Sequence, residues 1–356
     1  MKIETKIVTI LMCAALALSA CNKKLPDTSV EEQQLPVGFS AKSQAVWVKS
    51  GETTAMFPYD DFGVWGIARQ GTDVYNLWGN TTLAEVLDLE HRIENNITQS
   101  ATSRVFTPAV PAYWFNGYDY NFLAVAPYDD EGFALTEVVT EEAQTSVTNA
   151  KDYLTFTYDM SDKYEDTYTF DLLGAAAQHS VTNGGYKGTQ DLTFWHLFTQ
   201  ISIQVLFPNI TGTGAVSKLT LVNVDTKASY SIKYNEGATG STGTLSVLMN
   251  QITSPETSLE FSANSPKDDE GRWIAHIVPQ NISNIVIKVD YAITEDGKTV
   301  YYNDSVSLAN SSPAIYNSND RYNWTLKINP KEPIGFHVQI ADWSSEDLGN
   351  GGFDIL

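Results

Sequence analysis

Residues Ile285–Leu308 read IVIKVDYAITEDGKTVYYNDSVSL. Ile285, Ile287, Val289, Tyr291 and Ile293 fall on every second position, with Lys288 and Asp290 between them. A period of two puts the apolar set on one face of a strand. Asp296-Gly297 separates this run from Val300–Leu308. A two-residue type I′ turn needs positive φ at both central positions, which Asp-Gly adopts cheaply. The stretch therefore predicts a β-hairpin of strands Ile285–Ile293 and Val300–Leu308.

The same texture extends outward through the chain from Leu35. Asp61–Ala68, Tyr120–Ala126, Tyr153–Tyr158, Leu192–Phe207, Lys218–Val224, Trp273–Val278, Tyr322–Ile328 and Gly335–Trp343 are rich in β-branched and aromatic residues. Turn signals divide them: Asp129-Asp130-Glu131-Gly132, Asp268-Asp269-Glu270-Gly271 and the Gly/Thr-rich Gly237–Gly243. Only Leu83–Ile97 has helical spacing (Leu83, Val86, Leu87, Ile93, Ile97) and predicts a short surface helix. Many short strands joined by loops imply an all-β chain of β-sandwiches. One sandwich takes ~100–150 residues, so two are expected in tandem. Gly174–Gln190, with an Ala triplet and Gly184-Gly185, is the expected seam, giving domains at 35–173 and 174–356.

The first residues read as an address. Lys2 and Lys6 precede the apolar run Ile7–Leu18. At 1.5 Å per residue that run is too short for ~30 Å of hydrocarbon, so residues 1–20 are expected to be a signal peptide. The run ends in Leu18-Ser19-Ala20-Cys21, which resembles a bacterial lipobox. Cys21 is the expected lipidation site, and Asn22–Gln34 is a polar tether. The expected location is the outer membrane, lipid-anchored and surface-exposed. Cys13 leaves with the signal, so the mature chain relies on its core rather than on disulfides.

The 356 residues carry 43 Asp and Glu against 22 Lys and Arg, a net charge of −21. Nucleic-acid binding rests on clustered cations and is excluded as a function. Two cysteines cannot build a cysteine-rich zinc module. His91, His179, His196, His276 and His337 are dispersed without ligand spacing, and His196 in an apolar run reads as structural. No G-x-S-x-G elbow, Walker loop or G-x-G-x-x-G is present. The acidic tetrapeptides lack calcium-loop spacing and read as solvated turns. No enzyme, cofactor or metal is expected. Trp65, Trp78, Tyr113, Trp114 and Phe115 crowd the first half. Such rings build sandwich cores or stack on sugars, and both readings stay open here.

The order of motifs is more specific than any one of them. After the lipobox come Val37-Gly38-Phe39-Ser40-Ala41, Asp61-Phe62-Gly63-Val64-Trp65-Gly66, Ala112-Tyr113-Trp114 and Tyr120–Pro127. Leu192–Phe198, Val278-Pro279-Gln280, Arg321–Leu326 and Phe336–Trp343 follow. This series resembles the fimbrillin-like lipoproteins, the subunits of type V pili, over about Leu35–Trp343. The resemblance implies two transthyretin-like β-sandwiches, no catalysis, and assembly with other pilus subunits by donor-strand exchange in support of cell adhesion. In pilus-forming members of that family the first strand is removed and a neighbour's strand fills its groove. Mapped here, Leu35, Val37, Phe39 and Ala41 mark the strand removed. Phe353 and Ile355 mark a donor strand at the C-terminus. Polymerising members of that family are cleaved after an arginine beyond the first strand, but the first arginine here is Arg69, leaving Lys42 and Lys49 as candidate processing sites. Outside partners would be a host or bacterial surface receptor or glycan. The alternative is a glycan-binding surface lipoprotein of a nutrient-uptake system.

Overall fold

A computed structural model describes residues 35–43, 57, 59–71, 73–78, 92–95, 104–127, 133–139, 153–160, 171–182, 185, 188–235, 244–252, 257–265, 267–268, 270–329, 333–341 and 353–354. Strands dominate, and the described residues hold no α-helix, only a 3-10 turn at Ile282–Asn284. The strands form three bodies, each organised around its own apolar core.

The first body contains β1 (Phe39–Ser43), β2 (Asp61–Gln70), β3 (Asp73–Asn76), β4 (Arg92–Asn95), β5 (Arg104–Pro108) and β6 (Tyr118–Ala126), with β9 (Leu173–Val181) and β10 (Gln190–His196). They pair in the order β3-β2-β4-β5-β1-β10-β9-β6, and β6 returns to pair with β2. The sheet thus closes on itself. Rings from opposite walls meet inside it: Phe39 of β1 lies 5.2 Å from Phe122 of β6, edge to face. The two walls pack as the layers of a sandwich.

The C-terminal sandwich pairs a five-stranded sheet with a four-stranded one. The first contains β16 (Trp273–Ile277), β11 (Thr199–Leu206), β19 (Arg321–Lys327), β20 (Gly335–Ala341) and β21 (Phe353–Asp354), in that order. The second contains β15 (Ser258–Ser262), β12 (Thr213–Val222), β17 (Val286–Glu295) and β18 (Lys298–Ser307). Alternation predicts their buried faces: Ile287, Val289, Tyr291 and Ile293 meet Ile201, Ile203, Trp324 and Leu326 in one core. The β17–β18 hairpin forms as read from sequence, with Asp296 at φ 47° and Gly297 at φ 75°.

The third body joins the two halves of the chain. Hairpin β7–β8 (Phe133–Val139 and Tyr153–Asp159) pairs with hairpin β13–β14 (Lys227–Asn235 and Thr244–Ile252) in the order β14-β13-β8-β7. This sheet lies on the outer face of the first body. Its core gathers Trp65, Leu123 and Val125 from β2 and β6, Leu154, Phe156 and Tyr158 from β8, and Tyr230 and Ile232 from β13. Strands β2 and β6 are therefore buried on both faces, which explains the unbroken burial along β6 from Tyr120 to Ala126.

Two local expectations change. Arg92–Asn95 is strand β4, not the end of a helix, because Phe62↔Ile93 and Ile93↔Pro108 pairing captures it between β2 and β5. Residues 79–91 lie outside the described residues. Leu192–Phe207 is two strands, not one: the chain leaves the first body at Leu197-Phe198, whose side chains enter the third core. The stretch from Gly174 holds β9, in which residues 173 and 174 lie together. There Ala175 and Ala177 face the closed sheet's interior and Ala176 faces the third core. The last strand of the closed sheet ends at His196 and the C-terminal sandwich begins at Thr199.

Because the third core is shared, damage to it should be felt by both halves. Phe156 is fully buried and stacks on Tyr230 at 5.4 Å and 21°. Phe156→Ala is expected to lower stability by about 3–5 kcal/mol. In guanidinium unfolding followed by tryptophan fluorescence, the midpoint should fall while the transition stays single.

Candidate functional site

The site is the slot that β1 occupies. Gly38, Ser40 and Lys42 alternate with Val37, Phe39 and Ala41, and the second set is buried at 1%, 0% and 2% exposure. Leu35, placed with them by sequence, is 40% exposed. β1 runs parallel to β10, from Phe39↔Gln190 to Ser43↔Phe194. It runs antiparallel to β5, from Phe39↔Phe106 to Ala41↔Arg104. Both of its edges are thus paired. The Val37 amide donates to Ala112 O at 2.8 Å, and the Gln190 amide donates to Gly38 O at 2.8 Å. Ser40 Oγ donates to Asp191 Oδ1.

Phe39 is the anchor. Its ring meets Phe62 at 6.1 Å, Trp78 at 6.2 Å and Phe122 at 5.2 Å. Phe57 bridges the next layer, 5.6 Å from Phe106 and 4.6 Å from Phe194. Trp78 reaches this pocket because Gly66 of β2 has no side chain: a Cβ there would sit 2.6 Å from Trp78 Cζ3. Trp78 Nε1 then donates to Val110 O at 2.8 Å. Phe57, Phe106 and Phe194 carry no sequence signal tying them to Phe39. Phe194 arrives through the parallel β1–β10 pairing and Phe106 through the antiparallel β1–β5 pairing, both between segments far apart in sequence.

The crowded aromatics belong to cores. Trp65 and Trp78 are 2% exposed and Trp114 is fully buried, T-shaped against Tyr120 at 4.7 Å. Of the five, Tyr113 is the exposed one, at 37%. Trp65, Trp78, Trp114 and Phe115 are thus engaged in core packing.

Buried polar groups serve the junction between bodies. His196, at the end of β10, sets Nδ1 against Asp171 Oδ2, and its amide donates to Asn319 Oδ1 at 3.3 Å. Tyr59 Oη accepts from the Asp171 amide at 2.9 Å. Burial, with the Asp171 carboxylate close by, holds the Tyr230 phenol well above its usual range. The described acidic turn is closed internally: Asp268 Oδ1 accepts from the Glu270 and Arg272 amides at 3.0 and 2.8 Å. Arg272 Nε meets the other carboxylate oxygen at 2.7 Å. The second tetrapeptide, 129–132, lies outside the described residues. Among the described residues no group of His, Cys, Asp and Glu could hold a metal ion, and no helix is long and apolar enough to cross a membrane.

The remaining marked residues divide as follows. Lys42 is inside β1, opposite Thr193, whereas Lys49 lies outside the described residues. Arg69 is buried near the end of β2, opposite Asp119 of β6, out of reach of a protease. Phe353 pairs with Val338 on β20, and Asp354 with His337. Ile355 and Cys21 lie outside the described residues.

Residues 52–343 match the model of a family described as fimbrillin-like. No curated protein matches the chain. Among solved structures, one similar chain is a candidate cell adhesion protein from Bacteroides uniformis, at 15% identity and TM-score 0.48, covering 87% of this chain and 99% of that one. Another, from Bacteroides ovatus, has 14% identity and TM-score 0.46, covering 89% and 100%. The tip fimbrial protein Mfa3 from Porphyromonas gingivalis, truncated at its C-terminus, has 9% identity and TM-score 0.39, covering 87% and 100%.

The burial of Trp114 makes a direct prediction. Trp114→Ala should act as a core deletion and lower stability by about 3–5 kcal/mol. A melting curve would show it, whereas a ring held out for ligand would leave the midpoint unmoved.

Proposed function

This chain belongs to the fimbrillin-like family, and on that premise we propose that it is a non-catalytic structural and adhesive subunit of a type V-like pilus, assembling with other subunits by donor-strand exchange. The observation that carries this reading is the place of β1. It is the first described strand, it is paired on both edges, and its side chains reach into a closed sheet. Withdrawing it would open two edges at once and empty the Phe39 pocket. A buried Phe or Val side chain is worth ~1.5–3 kcal/mol, and each unpaired buried backbone group adds a cost of its own. A slot of that kind favours refilling by another extended segment. Main-chain hydrogen bonds then supply affinity and alternating side chains supply register. Head-to-tail repetition of such a contact does not close, so a filament follows.

The lipid anchor belongs to the same proposal. Cys21 would carry acyl chains in the outer membrane, and the tether from it leads directly into β1. One cut after β1 would therefore free the body from the membrane and open the slot together. Lys49 suits that cut better than Lys42. Lys42 lies within β1, paired with Thr193 of β10, and a protease needs an extended segment whose edges are free. Phe353 and Ile355, two residues apart as Phe39 and Ala41 are, would supply the incoming apolar face.

The test is mass spectrometry and electron microscopy of surface material. The expected N-terminus is Ser50, in filaments whose growth is blocked by excess peptide of residues 35–43. An acylated Cys21 start throughout, with no filament after lysine-directed proteolysis, would overturn the reading.

A further inference from the structure

We infer that the outward face of the β15-β12-β17-β18 sheet is a binding site for a neutral oligosaccharide. This face carries a shallow groove of about 520 Å³. Across its strands Lys218, Asp290 and Asn303 stand in one row. Glu260, Thr220 and Lys288 stand in the next. Two ammonium groups thus face two carboxylates, in a chain whose net charge is −21. The groups hold one another in place: Lys218 Nζ lies 2.5 Å from Glu260 Oε1, and Asn303 Nδ2 donates to Asp290 Oδ1. Lys218 and Glu260 nevertheless remain 43% and 55% exposed, so they keep capacity for a further partner.

Tyr301 stands two residues along β18 from Asn303, a lining residue of the groove, and on the same face of the sheet. It is 80% exposed, more than any other large apolar side chain among the described residues. Its cross-strand neighbour is Ala292, itself opposite Ala215, so no tall side chain covers its row. The inward side of the same strand is filled, with Tyr302 stacked on Tyr291 at 5.0 Å.

The balance of charge selects the ligand. A phosphate or polyanion needs an excess of cations, which this face lacks. A peptide strand would seek an unpaired edge rather than a sheet face. A sugar presents an apolar C–H face and a rim of hydroxyl groups that both donate and accept. An open ring beside an amide, carboxylates and ammonium groups matches that chemistry. This inference does not depend on strand exchange, because the face lies in the C-terminal sandwich, away from β1.

The test is affinity electrophoresis of the full-length protein in detergent. Native gels would contain mannan, galactomannan, xyloglucan or laminarin, with polygalacturonate as an anionic contrast. Retardation by at least one neutral polysaccharide is expected, with Tyr301→Ala and Asn303→Ala each weakening it about tenfold. Both variants should keep the parent melting temperature, since both side chains point outward. No retardation in any neutral gel, retardation by polygalacturonate alone, or retardation indifferent to both substitutions would overturn the inference.

Discussion

The ladder between β8 and β13 is the constraint on which the rest of the molecule depends. It runs antiparallel from Tyr153↔Lys233 to Asp159↔Lys227 and joins a hairpin from each half of the chain. Through it the third core covers the outside of the closed sheet, and Trp65, Leu123 and Val125 lose their solvent face. A chain of two beads on a string would bend at its linker. Here the halves share a sheet, a core and the hydrogen bond from the His196 amide to Asn319 Oδ1, so bending would have to disrupt all three.

That arrangement separates what must stay from what can leave. Val37, Phe39 and Ala41 belong to the core of the closed sheet and make no part of the third core or of the C-terminal one. Losing β1 would cost several kcal/mol, a serious fraction of an ordinary domain's 5–15 kcal/mol. The loss would nevertheless fall on one core of three. The strand exchange proposed above would need a body that holds its shape while the slot is empty, and the shared core would provide it.

Much of this was legible in the sequence, for identifiable reasons. The β17–β18 hairpin follows from alternation and Asp296-Gly297, because both signals are local. The strand character of Asp61–Gln70 and Tyr118–Ala126 was equally plain. The joining of β1 to β10 was not, because parallel partners are distant in sequence and no turn residue marks them. Arg92–Asn95 misled because Ile93 and Ile97 suit a helix face as well as a strand, and tertiary pairing chose the strand. The aromatics were ambiguous for another reason. Alternation separates Val64 from Trp65 but cannot say that both faces of β2 are buried, which required the β8–β13 ladder. Tyr301 was silent altogether: a Tyr-Tyr pair in a strand does not reveal which ring turns outward.

Closure of the first sheet also bears on when the proposed assembly could begin. An open sheet offers unpaired edges, and a chain built largely of strands would risk joining others indiscriminately. In the closed sheet β6 returns to β2, and among the described residues the short β3 is the strand left at its margin. Within that sheet the longer edges are those hidden on either side of β1, whereas β18 and β14 stand at the margins of the other sheets. Like charges, at −21 per chain, further oppose casual contact between copies. Under the proposed exchange, strand addition to the closed sheet itself would wait on a covalent event rather than on concentration, because that sheet offers no other long edge until β1 departs. With the anchor proposed at Cys21, β1 would be both the tether and the lock.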